Sequence, residues 1–151
     1  MKINIGPYRK NRKVEIRIDP YDTWSMDHTL ALIIVPMLKQ LKETKHGSPF
    51  VADVDVPEEL RSTSAPIQES ETDTDQYIQF DTDENYHKRW DWVIDEMIWA
   101  FEQTIDEDSV KPYFDQSVEP FSLDIESYRA HAQRVDNGIL LFGKYYQSLW
   151  D

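Results

Sequence analysis

The sequence has no cysteine, and only four of its 151 residues are glycine. Without thiol groups the chain forms neither a disulfide bond nor a thiolate metal site, which suits a reducing compartment. The glycines are separate from one another, at Gly6, Gly47, Gly138 and Gly143. Phosphate-binding loops and dinucleotide fingerprints need clustered glycines, and neither a nucleophile elbow nor a zinc-protease helix motif occurs. The sequence therefore contains no recognisable catalytic motif, and we expect binding in preference to catalysis.

Long hydrophobic runs are also absent. The longest covers nine residues, 30–38, whereas a helix that crosses a bilayer needs about 20. The first seven residues lack the apolar stretch of a signal peptide. We therefore expect a cytoplasmic protein without membrane contact, and the run at 30–38 predicts a buried core helix.

The chain has enough apolar material to build a core. Hydrophobic residues make up 40% of it and aromatic residues 13%, including five Trp and eight Tyr. Each aromatic side chain that is buried removes about 150–250 Å² from water. Because domains commonly contain about 100–200 residues, we predict a single domain over residues 1–151.

Charge is distributed unevenly along the chain, whose net charge is −13. Residues 51–85 contain eleven acidic side chains and one basic side chain, Arg61. Residues 1–18 contain six basic side chains and one acidic side chain, a local net charge of +5. Because a negatively charged protein repels phosphate backbones, this composition disfavours nucleic acid as a partner.

The hydrophobic pattern predicts a mainly α fold with a small β ribbon (α+β), built from three long helices and one long loop. Polar and apolar side chains alternate over residues 2–5 and 13–18, which is typical of two paired strands. Two strands alone are marginal in water, so we expect this ribbon to pack on the helices. A weaker alternation at 76–80 predicts a further short strand.

The first two helices are predicted from their caps and their apolar positions. The first helix should run from a cap at Asp22 or Thr23 to about Lys45. Its middle is apolar on every side, so we expect it to be the central helix. The second helix, over about 85–107, has an apolar stripe at helical spacing. Between them, residues 46–83 contain three prolines and most of the acidic run, which predicts a long acidic loop.

The strongest pattern lies near the C-terminus, where apolar side chains recur at alternating spacings of three and four residues. They are Ile125, Tyr128, Ala132, Val135, Ile139, Phe142, Tyr146 and Leu149. This heptad pattern predicts one helix over 125–149, capped by Ser122 or Asp124, that packs on a partner helix. Its phase continues across Asn137-Gly138, so we expect no turn there. The partner could be one of the other helices, or a second subunit in a homo-oligomer.

A polar cluster is predicted on the second helix. His87, Asp91 and Asp95 are spaced four residues apart, so they lie on one side of that helix. Asp27 and His28 lie near the start of the first helix. If the two helices face each other, these two residues converge with the cluster on the second helix. The alternative is an exposed acidic face with local ion pairs to Lys88 and Arg89.

This cluster also supplies the candidate metal ligands, because carboxylates and imidazoles bind Mg²⁺, Mn²⁺ or Zn²⁺. The candidates are His28, His87, Asp91 and Asp95. We expect no cofactor, with a divalent metal as the alternative.

Tryptophans form a second group of candidate binding residues. Trp92 and Trp99 are seven residues apart, on a different side of the second helix from the core stripe. Trp24 lies at the start of the first helix. Burial between helices is the ordinary explanation for such residues, and a partner-binding surface is the alternative, because Trp and Tyr dominate interface hot spots.

Several segments resemble a group of proteins encoded by tailed bacteriophages. They are DTWSMDHTLA at 22–31, PMLKQLK at 36–42, VPEEL at 56–60, STSAP at 62–66, HKRWDWV at 87–93, DEMI at 95–98 and LFGKYY at 141–146. The resemblance covers most of the chain and departs at 7–13, where the group carries a longer Trp-rich insert. It implies a phage origin and action in the cytoplasm of the bacterial host, and it implies no activity.

These observations give one leading interpretation and two alternatives. We expect a phage accessory protein that binds a host protein, in particular a component of antiviral defence. The first alternative is a nucleotide-binding protein or metal-dependent nucleotide hydrolase that uses Asp27, His28, His87, Asp91 and Asp95. The second is a virion or assembly component whose subunits associate through residues 125–149.

Overall fold

The computed structural model describes residues 1–62, 83–115 and 122–150. Its three helices and four short strands are α1 (Met26–Thr44), α2 (Tyr86–Ile105), α3 (Ile125–Lys144), β1 (Lys2–Ile5), β2 (Val14–Arg17), β3 (Phe114–Asp115) and β4 (Ser122–Leu123). The strands form two separate antiparallel pairs, β1 with β2 and β3 with β4. The prediction of a mainly α fold with a small β ribbon is therefore confirmed.

The central helix is α2, which packs against both α1 and α3. Trp90, Val93, Ile94 and Met97 are completely buried on it. The expectation that the first helix is central was wrong: α1 buries the face of Ala31, Val35 and Leu38, whereas Leu30, Leu32 and Met37 stay exposed. An all-round apolar sequence does not distinguish a buried helix from one whose outer face is itself apolar.

The first helix also begins later than predicted, at Met26. Pro20–Thr23 forms a 3₁₀ turn in which the backbone N–H of Asp19 donates to the Asp22 carboxylate at 2.7 Å. The Asp22 carboxylate therefore accepts a hydrogen bond within this turn and does not cap α1. The predicted end of the helix near Lys45 is correct.

Three ion pairs join α1 to α2 in antiparallel register. Lys39 lies 2.6 Å from Glu102, Lys42 lies 2.6 Å from Asp95, and Lys45 lies 2.7 Å from Asp91. Each pair includes side chains that are substantially exposed, so each contributes only about 0.2–1 kcal/mol. Their main consequence is to fix which residues of the two helices face each other.

The third helix continues through Asn137-Gly138, as predicted, because Gly138 is where α3 approaches α2 most closely. A Cβ atom at Gly138 would lie 2.4 Å from the Cβ of Ala100 and 2.6 Å from the carbonyl oxygen of Glu96. Glycine is therefore required for packing here and forms no turn. Asp124 caps the helix by accepting from the Ser127 backbone N–H at 3.1 Å. This hydrogen bonding with Ser127 lowers the pKa of Asp124.

Only part of the heptad set faces α2: Phe142 lies against Phe101 of that helix. The other residues of α3 that are buried or packed against α2 include Arg134, Gly138, Leu141 and, just beyond its end, Tyr145. Ile125, Ile139 and Tyr146 from the heptad set are exposed. The helix also ends at Lys144 and continues as a 3₁₀ turn, Tyr146–Ser148, so the prediction of a helix to residue 149 was too long.

Residues 46–62 form the first part of the expected acidic loop. This part contains two 3₁₀ turns, Asp53–Asp55 and Glu58–Leu60, and it buries Val51 and Val56 in the core. It is therefore a packing segment, in spite of its prolines and acids. The rest of that loop and the short strand expected at 76–80 lie outside the described residues, apart from Asp83.

The predicted ribbon of β1 and β2 is present, but its apolar face is largely exposed. Ile3 lies opposite Ile16, and Ile5 lies opposite Val14. These four side chains are between 40% and 58% exposed. The expectation that the helices bury this face was therefore wrong.

Candidate functional site

The predicted His/Asp cluster is divided between the two ends of the α1–α2 pair. Because Lys45 faces Asp91 and the helices are antiparallel, the start of α1 points away from the start of α2. Asp27 precedes Lys45 by 18 residues, which corresponds to about 27 Å along a helix axis. Asp27 and His28 therefore do not converge with His87 and Asp91.

Each member of the cluster on α2 has a structural partner. Asp91 and Asp95 form the ion pairs with Lys45 and Lys42 described above. The Nδ1 atom of His87 lies 3.0 Å from the Ser48 hydroxyl. Within residues 1–62, 83–115 and 122–150, no group of three or more His, Asp or Glu side chains is arranged to hold a metal ion. The two carboxylates are thus in ion pairs, but with lysines of α1 and not with Lys88 and Arg89 of their own helix, as the alternative expected.

Trp92 and Trp99 are both half-buried at helix contacts. Trp92 packs against the hydrophobic core. Trp99 lies beneath Arg134, whose guanidinium carbon is 3.8 Å from the ring centroid, and its ring meets His131 edge to face at 5.4 Å. Arg134 also holds Glu96 through two hydrogen bonds of 2.7 and 2.9 Å. Trp99 therefore joins α2 to α3, and Trp92 contributes to the core.

Trp24 is 91% exposed, unlike the half-buried Trp92 and Trp99. It follows the Pro20–Thr23 turn, in which Asp22 lies 2.8 Å from the amino group of Met1. This contact joins the first residue of the ribbon to the chain just before Trp24. It also lowers the pKa of Asp22, through the hydrogen bond from that amino group.

The ribbon and this turn together expose a group of large apolar side chains, which we call the ribbon surface. It consists of Ile3, Ile5, Val14, Ile16, Ile18, Tyr21 and Trp24. The four strand residues lie on one face of the ribbon, because they form opposing pairs in alternate positions. The sequence showed this alternation, but it could not show that the face is left uncovered.

The ribbon surface is held in a defined conformation. The Gly6 N–H donates to the Lys13 carbonyl at 2.9 Å and extends the strand pairing into the connecting loop. The Arg12 Nε donates to the Gly6 carbonyl at 2.8 Å. A surface whose backbone is already ordered loses less conformational entropy when a partner binds.

The segment that contains the ribbon and the remainder of the molecule carry opposite net charges. Residues 1–18 carry a net +5, so the rest of the chain carries −18. The basic side chains of this segment are exposed. The ribbon surface is therefore an apolar face bordered by positive charge on a strongly negative protein.

A buried polar network that the sequence did not indicate lies at the start of α2. Asp83 accepts two hydrogen bonds from Arg89, at 2.7 and 2.9 Å, and Arg89 also donates to the Leu60 carbonyl at 3.1 Å. These bonds from Arg89 lower the pKa of Asp83. Arg89 thus joins the chain on either side of residues 63–82 to α2, which is a structural role.

A second such contact involves Tyr145, whose hydroxyl donates to Asp55 and accepts from the Ala52 N–H at 3.1 Å. Burial, together with this hydrogen bond to Asp55, raises the pKa of Tyr145 to about 12. The contact attaches the 46–62 segment to the end of α3. No spacing rule links residues 90 positions apart, so the sequence could not have revealed it.

Comparison of the chain with protein-family models, with curated proteins and with solved structures found no match. In the part of the chain that the structure describes, every helix is too short or too polar to cross a membrane.

Proposed function

We propose that this chain is a phage accessory protein that acts by binding a host protein, without catalysis. The observation that supports this proposal most directly is the ribbon surface, where four apolar side chains are exposed on one face of an ordered ribbon and Trp24, 91% exposed, follows the turn that is joined to Met1. Large exposed apolar patches on a soluble protein commonly mark interaction sites. Trp and Tyr are also the residues that most often dominate binding energy.

The charge distribution favours an acidic protein as the partner. A positive ribbon on a negative body makes the molecule strongly dipolar, so an acidic partner is attracted to the ribbon and repelled elsewhere. The same positive charge speeds the encounter of the two proteins, and salt should weaken that effect. We therefore expect the host partner to present an apolar patch within an acidic rim.

The alternative of nucleotide binding or hydrolysis has less support. It requires the carboxylates of Asp91 and Asp95 to be available together with His28, yet both carboxylates pair with lysines and His28 lies at the other end of α1. The binding proposal needs none of these groups.

The experiment compares capture of a partner by the full chain and by surface variants. The test variant combines Ile16→Ser with Trp24→Ala, and the control is Met37→Ser, an exposed apolar residue on α1. Protein captured from lysate of the phage-infected bacterial host is identified, purified and titrated against each chain. We expect the test variant to bind at least tenfold more weakly, because hot-spot truncations commonly cost more than about 1.4 kcal/mol. The control should bind like the unmodified chain.

Salt provides a second measurement on the same purified pair. Raising the salt from about 0.1 M to about 1 M shortens the screening length from about 10 Å to about 3 Å. The association rate should fall while the dissociation rate changes less. Binding that is indifferent to both the ribbon variant and salt would contradict the proposal. Capture of phage structural proteins alone would instead support an assembly component.

A further inference from the structure

Helix α3 carries apolar side chains along two faces. The inner stripe, Gly138, Leu141 and Tyr145, packs against α2. The outer stripe continues the heptad spacing over Ile125, Tyr128, Ala132, Val135, Ile139 and Phe142. At about 100° per residue, the two stripes are separated by roughly 100° around the helix. Phe142, at the C-terminal end of the outer stripe, lies against Phe101 of α2, and the rest of the stripe points to one side of the α2 contact.

The chain itself covers only part of the outer stripe. The rings of Tyr113 and Phe114 lie against Tyr128, and the ring of Phe101 lies against Phe142. Ile125 and Ile139 remain 42% exposed. A regular heptad stripe with exposed isoleucines is the kind of surface that another helix covers in a coiled coil.

We propose that the outer stripe is covered by the α3 helix of a second copy of this chain, in antiparallel orientation. With a twofold axis between residues 133 and 134, Ala132 lies opposite Val135 of the second copy. Further out, Tyr128 lies opposite Ile139 and Ile125 lies opposite Phe142. The small residues then lie at the centre, where they allow the helices to approach closely, and the large ones lie at both ends.

Charge at the edge of the stripe supports this orientation. Arg129 and Asp136 each follow an outer-stripe residue directly, and both are exposed. Among the described residues, neither takes part in an ion pair of its own chain. In an antiparallel pair of helices these equivalent flanking positions face each other. Arg129 would therefore lie near Asp136 of the second copy, and the symmetry repeats the contact.

A parallel pair is less compatible with the fold. In that arrangement Arg129 would face the opposite flank of the second helix, which includes His131 and Gly138. That flank is already in contact with α2, through Trp99 and Ala100. The antiparallel arrangement leaves this contact undisturbed. The inference involves α3 alone and is independent of the binding proposed for the ribbon surface.

Sedimentation velocity of the full chain tests the association. We expect a dimer at concentrations of tens of micromolar. Ile139→Glu should give a monomer, because it places charge in the outer stripe, whereas Leu140→Glu, at an exposed residue outside both stripes, should leave the dimer intact. Circular dichroism of each variant establishes that the helices are retained. A monomeric unmodified chain at about 100 µM would overturn the proposal, as would equal effects of the two variants.

Charge exchange tests the orientation. R129D alone should weaken dimerisation about tenfold, since two like-charged contacts replace two attractive ones. D136R alone should have a similar effect. The double variant R129D/D136R should return the dissociation constant to within about threefold of the unmodified value. A dimer in which the double variant is as weak as either single variant would contradict the antiparallel arrangement.

Discussion

Valine and isoleucine side chains have opposite environments in two regions of this molecule. Val51 and Val56 lie in an irregular segment between prolines, yet they are only 2% and 4% exposed. Val14 and Ile16 lie in a regular β-strand, yet they are 58% and 52% exposed. Regular backbone structure and burial are therefore separate properties here. The irregular segment contributes to the core, and the regular ribbon contributes a surface.

The polar groups of the two regions differ in the same way. The interior region contains Arg89 and Asp83, whose side chains are almost completely buried against each other. The ribbon has charged side chains that remain in water. Because exposed charges contribute little to stability and buried pairs are costly to break, we expect the interior to respond to mutation in stability and the ribbon to respond in binding. Substitutions at Asp83, Gly138 and Val56 test this difference, the last two each against a matched control.

The largest effect on stability is expected from Asp83→Asn. The change leaves the buried guanidinium of Arg89 without its main counterion, and removal of one partner from a buried ion pair typically costs about 3–5 kcal/mol. We expect about 3 kcal/mol, at the low end, because Asp53 still interacts with Arg89 electrostatically. Urea unfolding at neutral pH measures the loss. A loss below about 1 kcal/mol would contradict the assignment of this pair to the interior.

The same variant makes a prediction about pH. The fold lowers the pKa of Asp83 below its ordinary value, so the stabilisation by this carboxylate is complete above about pH 4. It is lost as the pH falls through the lowered pKa, because the folded protein must then take up the proton. The difference in the free energy of unfolding between the unmodified chain and Asp83→Asn should therefore be constant from about pH 5 to about pH 7 and should shrink below about pH 4.

A smaller loss is expected from Gly138→Ala, at the contact between α3 and α2. The new methyl group would overlap Ala100 and the Glu96 carbonyl, and overpacking of this kind costs about 1–3 kcal/mol. Because one overlap is with a backbone carbonyl, we expect the cost near the upper end of this range; the higher helix propensity of Ala offsets up to about 1 kcal/mol, which leaves a net loss of about 2 kcal/mol. The matched control is Gly143→Ala on the same helix, where a Cβ meets nothing within 4 Å. It should be stabilising by about 0.5–1 kcal/mol in thermal unfolding.

Local patterns predicted the elements of this fold well. The ribbon, the second helix and the continuity of the third helix follow from periodicities over a few residues, and the structure confirms them. The central position of α2 did not follow. It depends on which apolar faces meet, and α1 and α2 both have apolar residues on more than one side. The heptad stripe shows the same difficulty, because its spacing identifies a surface suited to helix packing but does not identify the partner.

The candidate site was less predictable, since it depends on contacts between distant residues. The His/Asp cluster required the starts of α1 and α2 to meet, and the antiparallel register set by Lys42 and Lys45 places them apart. Trp24 was proposed as a binding residue from its residue type alone, and its exposure follows from the Pro20–Thr23 turn, which delays the start of the helix. The contact of Asp55 with Tyr145 has no local signature at all.

The smallest stability effects come from a matched pair of Val→Ala changes, one in each region. Val56→Ala removes two buried methyl groups, at about 0.8 kcal/mol each, and leaves a small cavity, so we expect a loss of about 1.5–2 kcal/mol. Val14→Ala removes the same atoms from a half-exposed strand and should change stability by less than about 0.5 kcal/mol. Urea unfolding compares the two under identical conditions. Equal losses would mean that the ribbon face is buried in solution, which would remove the surface on which partner binding depends.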